Sequence, residues 1–265
     1  MNVLDKILAA KRDELAALAN VPSRPRASGG PRGATVIANL VRPGGSALRL
    51  VTEIKRRSPS AGPLSTVLSV ADRALAYARA GATMMSVLCD TTFFDGGYHH
   101  LVEARAALDQ AGLAVPLLAK EFILDERQLD EAAACGADAA LLIVRIVDRG
   151  RLTSLVSHAR SLGLEPLVEV VTEEELDAAV GAGAQVIGVN ARDLDTLEMD
   201  SERAARVLAA IDDDRVAVHL SGLKGPEDVA SVARTRVDAA LIGEALMRRD
   251  DPTPLLREML AAAQG

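Results

Sequence analysis

Between residues 47 and 243 one unit recurs eight times: a short, almost wholly apolar run, a turn, and a segment of helical periodicity. The runs are ALRLVTEIK, TMMSVLC, VPLLAK, DAALLIV, LEPLVEVV, AQVIGVN, RVAVHLS and VDAALIG. A strand with one wet face alternates apolar and polar residues. These runs scarcely do, so both faces are expected to be buried, as in parallel strands under helices. The spacers VADRALAYARA, DERQLDEAAAC, RLTSLVSHARSLG, EEELDAAVGAG and GPEDVASVART carry apolar residues three and four apart. In "RAGATMMSVL", "ACGADAALLI" and "GAGAQVIGV" a glycine separates helix from strand, where a left-handed residue ends a helix. "RTRVDAALIG" is a fourth junction of this kind, with Arg236 where glycine is expected. These junctions precede alternate runs, a half-barrel echo. The pattern predicts an α/β chain folded as a (β/α)8 TIM barrel. A doubly wound open sheet is the rival, but no GxGxxG follows a run and no loop has the P-loop form.

The 265 residues suffice for one such barrel, so residues 1–265 are expected to form a single domain, with residues 1–45 as an N-terminal helix-and-loop extension. Val3, Leu4, Ile7, Leu8, Lys11, Leu15 and Leu18 follow helical spacing, and VPSRPRASGGPRG, residues 21–33, reads as a loop. Charges every few residues in the first helix argue against a signal sequence or a membrane span. The net charge of −7 disfavours nucleic acid or an anionic membrane as the main partner. Cys89 and Cys135 have no metal spacing and fit reduced thiols in a cytoplasm. His99, His100, His158 and His219 have none either, so no metal site is expected.

In a barrel of this kind the chemistry sits at the C-terminal ends of the strands. Those ends carry Glu53 and Lys55, Lys120, Glu169, Asn190 and Arg192, and the Ser221-Gly222 and Gly243-Glu244 pairs. On a strand, Glu53 and Lys55 point to one face and Ile54 to the other. Charges at the ends of apolar strands form either a structural ion-pair network or an active site, and a buried charge without a partner is costly. The chain's three phenylalanines, Phe93, Phe94 and Phe122, all fall in the second and third exit loops. They make a wall for an aromatic ligand, or they plug the barrel top. A glycine between strand and helix in "SGLKGPED" and "IGEALMRR" suits a phosphate held on backbone N–H groups.

The segments "EIKRRSPSAG", "SVLCDTTFFDGG", "KEFILDERQLDEA", "PLVEV", "IGVNARDLDTLEMD" and "LIGEALMR" resemble the indole-3-glycerol phosphate synthase family over nearly the whole chain. The resemblance implies ring closure of a carboxyphenylamino-deoxyribulose 5-phosphate with loss of CO2 and water, without a cofactor. By position it makes Lys120 the general acid and Glu169 its partner base. Lys55 would hold the substrate carboxylate, Glu53 would take a proton late, and Asn190 would orient a hydroxyl. Ser58, Ser221, Gly222, Gly243 and Glu244 fall at phosphate contacts, Arg192 at a positioning contact, and Phe94 and Phe122 against the aromatic ring. The implied partner is a small phosphorylated molecule; a homo-oligomer or a pathway-enzyme partner stays open. The sequence departs from the family pattern at "HLSG", where the pattern is A-E-S-G. Leu220 replaces a pocket-facing glutamate, and His219, on the opposite face, is a poor substitute. Thr92 and Glu121 also depart, more mildly.

Overall fold

The computed structural model describes residues 2–17, 33–59, 61–193, 195–196 and 198–265. Its eight barrel strands are β1 (Arg49–Ile54), β2 (Met84–Leu88), β3 (Leu117–Lys120), β4 (Ala139–Ile143), β5 (Glu165–Val170), β6 (Val186–Val189), β7 (Val216–His219) and β8 (Ala239–Ile242). Each pairs in parallel with its neighbours in sequence, and β1 closes the ring on β8, with Val51 opposite Leu241. A helix follows every strand, from Val70–Ala80 after β1 to Thr253–Ala262 after β8. This is the predicted (β/α)8 barrel.

Alternation along the strands divides the apolar residues into two cores. Val51, Met84, Leu118, Leu141, Leu167, Val218 and Leu241 fill the barrel interior. Leu50, Ile54, Met85, Leu142 and Val168 face outward and meet helix residues such as Tyr77, Leu101, Leu129 and Leu155. Burial on both faces is why the runs read as continuously apolar. Gly81, Gly136 and Gly183 adopt φ of 111°, 91° and 81°, the left-handed conformation expected at the three glycine junctions. The fourth junction closes differently: the Arg236 guanidinium donates to the carbonyls of Ile211 and Arg215.

Two helices precede the barrel, α1 (Val3–Ala17) and α2 (Gly33–Leu40). Leu18 and residues 21–32 of the expected loop lie outside the described residues, and Gly33 opens α2 instead of ending a loop. The Gly33 N–H donates to Gly163 just before β5, so α2 sits at the N-terminal ends of the strands. There Val36 and Leu40 join the interior core. A Cβ on Gly33 would lie 3.0 Å from the Glu165 nitrogen, so glycine permits this close approach. Leu4 and Ile7 of α1 join the same core from the opposite end, beside Phe122. The barrel is thereby closed below by α2 and roofed on one side by α1.

Candidate active site

A cavity of about 840 Å³ opens at the C-terminal ends of the strands. All thirteen sequence-predicted site residues line it: Glu53, Lys55, Ser58, Phe94, Lys120, Phe122, Glu169, Asn190, Arg192, Ser221, Gly222, Gly243 and Glu244. Two lysine–glutamate pairs face this space. Lys55 Nζ lies 2.6 Å from Glu53 Oε1, and Lys120 Nζ lies 3.5 Å from Glu169 Oε2. Both carboxylates are buried at strand ends, whereas both ammonium groups retain some exposure toward the cavity. Burial alone would push the Glu53 carboxyl up, but the charges of Lys55 and Lys120 outweigh it and hold it below its ordinary value.

Glu169 is oriented as well as paired. Asn190 Nδ2 donates to Glu169 Oε1 at 2.9 Å, and Ser221 Oγ donates to Asn190 Oδ1 at 2.7 Å. The Arg192 N–H adds a third contact, to Asn190 Oδ1 at 3.0 Å. This chain links the ends of β5, β6 and β7 and leaves Glu169 Oε2 free to face Lys120. A carboxylate so held can accept or return a proton beside a cationic acid without changing its position.

The aromatic side is narrower than the sequence suggested. Phe94 and Phe122 line the cavity with ring centroids 6.0 Å apart and planes tilted by 34°. Phe93 does not line it and packs instead against the interior core. Phe93 and Phe94 sit on the one-turn helix Thr91–Phe94, where successive side chains diverge by about 100°, so only one can face a given space.

At the other end, Ser221 and Gly222 follow β7, and Gly243 and Glu244 follow β8. The Glu244 carboxylate is turned onto Arg248 at 2.7 Å, so its charge is paired within the same short helix turn. Lys224, Arg248 and Arg249 also line the cavity, three cations within the SGLKGPED and IGEALMRR segments, whose glycines and not their cations stood out in the sequence. Val3, Leu4 and Ile7 were missed too. The apolar stripe of α1 was legible, but not the surface it covers.

A Cβ on Gly243 would collide with Glu53 Oε1. Gly243→Ala is therefore expected to displace this carboxylate from Lys55 and lower kcat/KM by roughly 10²-fold, as small misplacements at a reacting centre do. Near-wild-type thermal melting alongside the kinetics would separate this effect from misfolding.

Leu220 lines the cavity and is buried, and its side chain fills the space left by Gly188. His219 does not line it, in keeping with its place on the other face of β7. Asp90 does not replace the missing carboxylate either: it is absent from the cavity wall and paired with Lys11 at 2.9 Å. Among the described residues no three His, Cys, Asp or Glu side chains are grouped to hold a metal.

Acid–base pairs buried at the C-terminal mouth of a closed parallel barrel define a (β/α)8-barrel enzyme working on a small molecule. The family model described as indole-3-glycerol phosphate synthase matches residues 4–259, and the chain belongs to that family. It is 40% identical to an indole-3-glycerol phosphate synthase of Kineococcus radiotolerans, over 99% of this chain and 96% of that protein. It is 42% identical to a multifunctional tryptophan biosynthesis protein of Schizosaccharomyces pombe, over 80% of this chain and 28% of that one. Among solved structures, thiamine phosphate pyrophosphorylase from Pyrococcus furiosus superposes with a TM-score of 0.62 at 18% identity, over 83% of this chain and 96% of that one. At that identity the likeness speaks for the fold alone.

Proposed function

We propose that this chain closes the indole ring of 1-(2-carboxyphenylamino)-1-deoxyribulose 5-phosphate, releasing CO2 and water and forming indole-3-glycerol phosphate. The observation that carries the reading is the pair of lysine–glutamate couples facing one cavity between an aromatic wall and a glycine-bordered end. Family membership supports it. In this reading the substrate's aromatic ring lies against Phe94 and Phe122, and its phosphate lies by Ser58, Ser221, Gly222, Gly243 and Glu244, with Arg192 positioning the chain between.

Lys120 donates a proton to the substrate ketone oxygen as the ring carbon that bears the carboxylate attacks the carbonyl carbon. The carbon–carboxylate bond then breaks, CO2 leaves, and its electron pair restores the ring. Lys55, which holds that carboxylate beforehand, assists protonation of the new hydroxyl, which leaves as water. Glu169 stabilises and recharges Lys120, Glu53 takes the last proton, and Asn190 orients a substrate hydroxyl. No step calls for a cofactor. The reading treats residues 1–265 as one barrel domain with residues 1–45 as its extension, supported by the α1 side chains in the cavity wall.

No helix among the described residues is long and apolar enough to cross a membrane. Both cysteines are free and buried, which supports a reducing cytoplasm. The longer Schizosaccharomyces pombe relative supports a pathway-enzyme partner, which co-elution from size-exclusion chromatography would test against a homo-oligomer.

The deciding experiment is an absorbance or fluorescence assay of indole-3-glycerol phosphate formation by wild type and Leu220→Glu. Wild type is expected to turn over. The variant is expected to raise kcat, by up to roughly 10²-fold, because a restored carboxylate supports the acid–base steps of the two lysines. Leu220 also favours a second reading, a diverged paralogue acting on a related phosphorylated substrate or a non-catalytic binder of a phosphorylated metabolite. An inert wild type beside an active Leu220→Glu would favour that reading over the synthase.

A further inference from the structure

A second charge cluster underlies the cavity wall, apart from the reacting pairs. Lys11 of α1 is 1% exposed, yet its ammonium lies 2.9 Å from Asp90 Oδ2, 3.1 Å from Glu121 Oε1 and 2.8 Å from Glu14 Oε2. Asp90 and Glu121 are buried just beyond the ends of β2 and β3. Each also grips the backbone of a phenylalanine. Asp90 Oδ1 accepts the Phe93 and Phe94 N–H groups at 2.6 and 3.2 Å, and Glu121 Oε1 accepts the Phe122 N–H at 2.7 Å. One buried cation thus bridges the two carboxylates that anchor the two cavity rings. The helix that supplies this cation also supplies Val3, Leu4 and Ile7 to the same wall.

A pin needed only to hold α1 could land anywhere along the barrel rim. This one lands on the two loops that carry the rings, and a side chain held from both ends has few alternative positions. We propose that Lys11, Asp90 and Glu121 form a positioning cluster that fixes the Phe94–Phe122 spacing and seats α1, and so governs affinity for the aromatic end of the substrate while leaving the phosphate end untouched. The nature of that substrate rests on the synthase reading; the cluster's control of the Phe94–Phe122 wall does not.

The test compares Lys11→Met, Lys11→Arg and Glu121→Ala with wild type. Steady-state kinetics are read with the carboxyphenylamino-deoxyribulose 5-phosphate. Anthranilate binding is followed by that compound's own fluorescence, and inorganic phosphate is titrated as an inhibitor. Lys11→Met and Glu121→Ala are expected to raise both KM and the anthranilate Kd by roughly tenfold, with a smaller change in kcat. Lys11→Arg is expected to recover most of the loss, and the phosphate inhibition constant to stay within about twofold of wild type. Should Lys11→Met not fold, Glu121→Ala decides, since it leaves Lys11 still paired with Asp90 and Glu14. Unchanged anthranilate affinity in the folded variants overturns the proposal, as does a phosphate affinity that falls in step with it. A wild type without turnover sinks the synthase reading, while the anthranilate titration still decides this one.

Discussion

Lys120→Met is expected to lower kcat by roughly 10²–10⁴-fold, the range associated with loss of a positioned general acid. The methionine keeps most of the stem and its packing while removing the ammonium group, so KM should change far less than kcat. Glu169 would then face the cavity with Asn190 still bonded to it but with no cation 3.5 Å away. Single-turnover measurement of indole-3-glycerol phosphate formation would show whether the chemical step is the one that slows. A variant that keeps wild-type kcat would move the acid elsewhere, with Lys55 as the next group to test.

The second large effect concerns stability. Lys11→Met would leave Asp90 and Glu121 buried with no cation between them, and breaking a buried pair from one side costs about 3–5 kcal/mol. For a chain of this size that corresponds to a drop of about 5–10 °C in Tm. Glu121→Ala removes one of three carboxylates that share one lysine, so its cost should be smaller, under about 2 kcal/mol. Circular dichroism melts of the two variants would check the order. The pH dependence of stability offers an independent measure. Burial pushes the Glu121 carboxyl up to about 7, against the pull of Lys11 and the Phe122 N–H. In the unfolded chain such a group titrates near about 4.3. Between those values the folded protein holds a proton that the unfolded chain has released, so this group's contribution to stability falls as pH rises through the window. Glu121→Ala should flatten that part of the stability profile relative to wild type.

The barrel was legible because burial on both strand faces writes itself into the sequence as continuous apolar runs, and glycines mark three of the four predicted helix-to-strand junctions. The fourth was ambiguous for a physical reason: Arg236 satisfies the loop by donating to carbonyls, which requires no special backbone conformation. The shared cavity of the candidate residues was legible because their charges stand at strand ends, where alternation decides which side chains face the axis. What escaped reading lies on elements whose destination periodicity cannot give. The stripe of α1 announced a buried face, but not that Val3, Leu4 and Ile7 would meet a cavity. Lys11 read as one position of the helical stripe, and spacing names no partner for its charge. Its two buried partners are supplied by loops far along the chain, and nothing local to α1 hints at them. Phe93 and Phe94 are adjacent letters, and only the one-turn helix that carries them separates their roles.

The bond from Lys11 to Glu121 spans 110 residues, and Asn2 reaches still further, donating to Asp195 across 193. The segment that carries α1 is therefore made well before the residues that receive it. Contacts so distant in sequence wait for loop closure that local helix and strand pairing do not need. A nascent chain can assemble its first β-α unit while α1 is still unattached, because the buried carboxylates that receive Lys11, Asp90 and Glu121, belong to later loops and the set is complete only at residue 121. Docking of the amino-terminal helix then converts an assembled barrel into one with a finished binding wall, so the capacity to hold a ligand is acquired after the scaffold itself.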